Sequence, residues 1–227
     1  MKGRGDAGSA RALMRRGMSD FLRGIAQVAR SGGGRARLGP ETVNRVVRAW
    51  GDDLLAGYRT DPSRILLPLR ARHGGDLVAL RDLEFSSVCL HHLLPFTGRA
   101  HLAYAPAGRI TGLSRLAKLV DCLSRRLQLQ EPLTREIAEE IQRQLAPEGA
   151  VCVIEASHTC MTSRGDRRGA RILTTAFTGV FRANAARRRE VVALLQVRGG
   201  AAATGVGRTR AARRARGKPS GRRRTPA

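Results

Sequence analysis

Between residues 41 and 196 the hydrophobic pattern changes period in a fixed order, and that order limits the folds open to the chain. Val43, Val46, Val47, Trp50, Leu54 and Tyr58 recur at helical spacing, which predicts a helix over 41–58 with one apolar stripe, ending near Gly57. Strand-like apolar segments follow at 82–88, 100–105, 150–157 and 171–181. Two more helical stripes lie between the second and third of these. Leu116, Leu119, Val120 and Leu123 form one, with Ser114 as its expected N-cap; Ile137, Ile141 and Leu145 form the other, with Thr134 as its expected N-cap. Pro147-Glu148-Gly149 reads as a turn. The order of helix, strands, helix pair and strands predicts an α+β fold: an antiparallel β-sheet with helices packed on one face, preceded by N-terminal helices.

The two ends read differently from this middle. The chain of 227 residues carries 42 Lys+Arg against 18 Asp+Glu, a formal net charge of +24, and about two thirds of the excess lies on 1–40 and 199–227. The segment 199–227 is Gly, Ala, Arg, Ser, Thr and Pro with almost no apolar bulk, a composition that predicts a disordered Arg-rich tail. In 1–40, Leu13, Met18, Phe21, Leu22, Ile25 and Val28 recur near helical spacing among arginines. That is a basic amphipathic helix, suited to docking on its own domain, a membrane surface or a nucleic acid. Ser31-Gly32-Gly33-Gly34 then marks a flexible break. The expected organisation is a basic N-terminal extension at 1–40, a folded domain at 41–198 and the tail at 199–227.

Several function classes are disfavoured at this level. No run of about 18 apolar residues exists to span a membrane, and residues 1–30 lack the apolar core and small-residue cleavage site of a secretory signal. Four cysteines in a chain of this length are too few for a disulfide scaffold and fit reduced thiols in the cytoplasm. Both basic ends favour phosphate, so polyanion binding is one reading of the charge. Aromatic residues at 4% do not supply a base-stacking platform.

The residues that carry chemistry are Cys89-Leu90-His91-His92 and, much later, His158-Thr159-Cys160. Both groups sit at ends of predicted strands, where rigid backbone can aim side chains. Soft thiolates with an imidazole suit Zn²⁺, and a set of three protein ligands leaves a fourth position for water. Neighbouring histidines could then move protons. The spacing alone also fits coincidence and histidines satisfied in a core. Cys152, amid Val151, Val153 and Ile154, reads as a small buried hydrophobe, and Cys122 likewise as structural.

Longer motifs extend this. Phe85-Ser86-Ser87-Val88-Cys89-Leu90-His91-His92-Leu93-Leu94-Pro95-Phe96, Gly112-Leu113-Ser114-Arg115-Leu116, Arg126-Leu127-Gln128-Leu129-Gln130-Glu131-Pro132-Leu133-Thr134, Ile154-Glu155-Ala156-Ser157-His158-Thr159-Cys160-Met161 and Arg164-Gly165 occur in this order. Together they resemble the GTP cyclohydrolase I family over about Thr42 to Gln196. The resemblance implies a tunnelling fold and zinc ligation by Cys89, His92 and Cys160. It implies proton transfer by His91 and His158, and a guanine edge held by Glu131 with help from Gln130. Ser114, Arg115, Lys118 and Arg164 would hold the triphosphate of GTP or a related purine nucleotide. In the implied reaction, zinc-activated water attacks guanine C8, formate leaves, and sugar rearrangement gives 7,8-dihydroneopterin 3'-triphosphate. The resemblance further implies a homo-oligomer, a homodecamer in the family, with active sites between subunits. The phosphate reading also has a local basis, because a helix N-terminus near Ser114 favours an anion and Arg115 and Lys118 add charge there.

The chain departs from the family at three places. Leu90 stands where the tetrapeptide usually reads Cys-Glu-His-His. Arg115 and Lys118 reverse the usual order of Lys and Arg. The Asp-Pro-x-Arg-Glu-Gly-Leu run expected ahead of the first helix is missing. Leu90 removes a carboxylate beside the expected metal ligands, where such a group commonly contributes about 10–100-fold to metal affinity or activity. Two alternatives follow: a diverged paralogue that stops at a ring-opened or deformylated pyrimidine nucleotide, and a non-catalytic basic nucleic-acid-binding paralogue.

Overall fold

The structure, a computed structural model, describes residues 4–36, 38–71, 76–164 and 169–195; the expected tail at 199–227 and Gly165 of the last motif lie outside the described residues. The chain begins with α1 (Arg4–Ser31), which stops at Gly32-Gly33, with Gly33 at φ 78°. It continues as α2 (Pro40–Arg48), with Pro40 in the first turn and extended Gly39 ahead of it. Leu22 of α1 meets Val43 and Val47 of α2 in a small core flanked by Met14, Met18 and Leu38. Docking on its own chain is thus the role described for this helix, although Leu13, Phe21 and Val28 stay exposed.

The helix expected over 41–58 is regular only to Arg48. It widens into a π-helix at Ala49–Leu54 and tightens into a 3₁₀ turn at Ala56–Arg59. Gly57 accounts for the change of path: its N–H donates to the Arg125 carbonyl at 2.9 Å. A Cβ added there would meet the Cys122 carbonyl oxygen at 2.0 Å.

The strands are β1 (Leu69–Arg70), β2 (Val78–Cys89), β3 (Pro95–Ala105), β4 (Arg109–Ile110), β5 (Leu127–Gln128), β6 (Gly149–His158) and β7 (Ile172–Phe177). They alternate with α3 (Leu113–Ser124), α4 (Gln130–Leu145), α5 (Thr159–Thr162), α6 (Gly179–Ala183) and α7 (Ala185–Leu195). The main sheet has the order β5-β2-β3-β6-β7. Its long pairings are all antiparallel, and only the two-residue β5 runs parallel to β2. The fold is α+β, as the hydrophobic pattern predicts.

One face of the sheet carries the core. Phe96, Leu102 and Tyr104 of β3 pack with Leu116, Leu119 and Leu123 of α3 and Leu133, Ile137, Ile141 and Leu145 of α4, all fully buried. Burying each such side chain is worth about 1.5–3 kcal/mol relative to exposure. Cys152 is fully buried among them, in keeping with its reading as a hydrophobe. Val151 and Val153 alternate to the other face of β6 and are buried too. The short α6 and α7 pack against β6, β3 and β2.

Both expected caps differ from what is found. Helix α3 starts one residue before Ser114, from extended Gly112 without a side-chain cap. Helix α4 starts four residues before Thr134, from Leu129. Pro132 falls within its first turn, where backbone N–H groups have no helical acceptor to lose. Thr134 is buried inside the helix, its hydroxyl donating to the Gln130 carbonyl at 2.7 Å. The strand expected to reach residue 181 ends at Phe177, because the Val180 N–H turns back to the Glu148 carbonyl and α6 buries Phe181.

Candidate metal centre

The register of the sheet brings distant motifs together at one end. Strand β2 ends at Cys89, β6 ends at His158, and Phe96 of β3 lies directly opposite His158. The turn after β2 is closed by Cys89 N–H to Leu94 O at 2.9 Å and Leu93 N–H to Cys89 O at 2.8 Å. Leu90 N–H donates to Gln128 O at 3.0 Å, tying the turn to β5.

Cys89, His92 and Cys160 each present one donor atom, and the three atoms lie within 4.8 Å of one another. Cys89 Sγ stands 3.7 Å from His92 Nδ1. A tetrahedral zinc site with bonds of about 2.3 Å to sulfur and 2.0–2.1 Å to nitrogen separates such a pair by about 3.6 Å. Burial pushes the Cys160 thiol up, and the adjacent Cys89 sulfur raises it further. Two adjacent sulfurs with an imidazole make a donor set that fits a soft divalent metal.

Around this cluster stand the expected proton carriers. The ring of His91 meets that of His92 edge-on, with centroids 6.1 Å apart, and both are exposed on the turn. His158 is buried and stacks on Phe96, with ring centroids 4.5 Å apart and planes within 5°. Its Nε2 lies 2.8 Å from Gln130 Oε1. Burial holds the His158 ring below the ordinary imidazole range, and the Glu131 carboxylate offsets part of that. Arg164 reaches His92 Nε2 at 3.3 Å.

The remaining expected residues are elsewhere. Glu131 is exposed beside buried Gln130 and lines a cleft of about 340 Å³ with Arg135, Thr174, Arg182 and Arg188. Arg115 and Lys118 line a basic cavity of about 520 Å³ with Arg59, Arg64 and Arg125, among whose lining residues are none of the metal-cluster residues. Ser114 is exposed in the first turn of α3. A single chain therefore brings together the residues expected to ligate metal and to carry protons, with Arg164 of the expected phosphate set beside His92, while Arg115 and Lys118 line a different cavity. Sequence reasoning missed Phe96, Thr134 and Thr174. Phe96 was inside a quoted motif, but its place opposite His158 depends on strand register.

The family model described as GTP cyclohydrolase I matches residues 22–196. GTP cyclohydrolase 1 of Rhodopirellula baltica is 44% identical over 156 residues, 68% of this chain and 68% of that protein. GTP cyclohydrolase 1 of Brucella anthropi is 45% identical over 148 residues, 64% of this chain and 69% of that protein. GTP cyclohydrolase 1 of Thermoanaerobacter pseudethanolicus is 44% identical over 157 residues, 68% of this chain and 83% of that protein. Among the described residues no helix is long and apolar enough to cross a membrane. With a match that runs from α1 to the end of α7 and takes in both halves of the Cys-His-Cys cluster, the chain belongs to the GTP cyclohydrolase I family of enzymes.

Proposed function

We propose that this chain is a zinc-dependent GTP cyclohydrolase that opens the guanine imidazole ring at C8, releases formate and forms 7,8-dihydroneopterin 3'-triphosphate, the entry to pterin and folate synthesis. The observation that carries the reading is the Cys89–His92–Cys160 cluster with two further histidines beside it. Those three residues would hold zinc, which when bound brings the pKa of water down toward about 7 and so supplies a hydrolytic nucleophile at neutral pH. His158, kept neutral by burial, suits the acceptance of a proton. His91, exposed on its turn, can exchange its proton with solvent and suits protonation of the purine N7. The Glu131 carboxylate offers paired acceptors to the adjacent N–H donors of guanine.

Ser114, Arg115, Lys118 and Arg164 take the triphosphate in this reading. Arg115 and Lys118 lie in a cavity lined by other residues than the metal cluster, which supports a shared site completed by a neighbouring copy, in a homodecamer as the family resemblance implies. The catalytic unit is 41–198, and the basic ends are appendages that attract polyanions incidentally. Leu90 favours one second reading. It is 49% exposed beside the metal ligands, in place of a carboxylate that could orient a neighbour, so the reaction could stop at a ring-opened or deformylated pyrimidine nucleotide. Incubation with GTP, oxidation and chromatography separate the readings. Formate with a fluorescent pterin is the expected outcome; formate without pterin, or a ring-opened nucleotide that keeps its formyl group, supports the truncated reaction; recovery of intact GTP refutes cyclohydrolase activity.

A further inference from the structure

Gln130 is 2% exposed, and its side-chain amide is engaged within the chain on both sides. Nε2 faces three acceptors: the Ile154 carbonyl at 3.1 Å, the Ile172 carbonyl at 2.9 Å and Thr174 Oγ1 at 3.1 Å. Two of the three are backbone carbonyls, which can only accept, so the amide orientation follows from chemistry. The carbonyl end, Oε1, is thereby turned to His158 Nε2 at 2.8 Å. An amide oxygen can only accept, so that imidazole nitrogen must donate.

The hydroxyls close the network. Thr134 Oγ1 donates to the Gln130 backbone carbonyl at 2.7 Å. Because Thr134 has spent its one proton there, Thr174 Oγ1 donates to Thr134 Oγ1 at 2.6 Å. The chain of donors runs in one direction, and reversing the Gln130 amide would set its NH₂ against His158 and its oxygen against two carbonyls. Phe96, stacked on the imidazole, fixes the ring plane as the amide fixes its proton.

We propose that Gln130 is a positioning residue: its side-chain carbonyl holds the proton of the neutral His158 ring on Nε2 and leaves Nδ1 as the free lone pair for proton transfer. This rests on the reading of His158 as a proton carrier and replaces a guanine contact by Gln130 with a contact to His158; Glu131, exposed alongside, keeps the guanine role. A wrong tautomer places the lone pair on the wrong side of the ring, and general base catalysis of this kind contributes about 10²–10⁴-fold.

The test uses zinc-loaded full-length protein with ¹⁵N-labelled histidine, the His158 signals being identified by their loss in His158→Asn. Wild type is expected to show Nε2 protonated and Nδ1 bare. Gln130→Met, which has no acceptor, is expected to lose that pattern. In formate release from GTP, Gln130→Met should lower kcat by about 10²-fold or more with KM within about threefold. Thermal melts check that the variant is folded. A proton on Nδ1 in wild type, or an unchanged tautomer in Gln130→Met, overturns the proposal, as does a rise in KM at unchanged kcat, which is the mark of a guanine contact. The NMR arm reads the ring whether or not the chain releases formate, so failure of the cyclohydrolase reading is seen separately.

Discussion

His158 ends β6 and Cys160 follows it in α5; there His158, Gln130 and Thr134, with half-buried Thr174, hydrogen-bond one another. Cys89, His91 and His92 come from the turn between β2 and β3, where Leu90, His91, His92 and Leu93 are all exposed. The β6 arm is fixed by partners that leave its groups no alternative arrangement. The turn is fixed mainly by three backbone bonds, and it holds Leu93 at φ 55°, a left-handed conformation that costs a non-glycine residue about 1–3 kcal/mol. One arm sets geometry, and the other presents groups to whatever binds. The Leu90 departure falls on the presenting arm.

The comparison breaks first at the ligand each arm supplies. Cys160→Ala on the buried arm and Cys89→Ala on the turn are each expected to abolish zinc retention and formate release, measured by elemental analysis and formate assay. If either variant keeps zinc and activity, the two arms do not share a metal. Next comes the strand that joins them. Gly98 of β3 faces Ala156 of β6, and a Cβ there would meet the Glu155 carbonyl oxygen at 2.1 Å. Gly98→Ala is expected to cost about 1–3 kcal/mol in chemical denaturation, with activity falling alongside; unchanged stability would mean that the β3–β6 approach is looser than described.

Leu90→Glu sharpens the role of the turn. Restoring a carboxylate beside the ligands is expected to change the rate of formate release by about 10–100-fold, or to change which product accumulates, with little effect on melting temperature. An unaltered rate and product would make Leu90 a bystander. The smallest expected effect lies outside both arms, at His101 of β3. This ring is buried, its Nδ1 accepts the Asp82 N–H at 3.3 Å, and burial above all holds its pKa below 6.5 despite Asp82. The unfolded chain takes up a proton as pH falls through 6.5 and the folded ring resists, so acid favours unfolding. Stability should therefore decline between pH 7 and 5. His101→Gln should flatten that slope in urea titrations, and a slope equal to wild type would contradict the assignment.

Much of the fold was legible because its strands are runs of apolar residues bounded by clear turns. The segments expected at 82–88 and 150–157 lie within β2 and β6, and the stripes of α3 and α4 are the buried faces found. The N-caps were misplaced because Ser114 and Thr134 resemble capping residues locally, while Gly112 and Leu129 start the helices through extended backbone alone. The break after Arg48 was hidden because it depends on Gly57 meeting α3, a contact 65 residues away in sequence. At the candidate site, Cys89, His92 and Cys160, the three residues that come together, were named in advance from residue type and motif. The Gln130–His158–Phe96 arrangement was not, because it is set by the register of β3 against β6 and by the course of α4. Local pattern carries no information on either.

The central claim, that the Cys89–His92–Cys160 cluster serves ring opening of GTP, is tested most directly by formate released from GTP labelled at C8, compared between freshly purified zinc-bound protein and Cys160→Ala. The account predicts catalytic formate release by the native chain and none above background by the variant. Zinc-bound native protein that leaves the label in intact GTP, or equal release by Cys160→Ala, would contradict it.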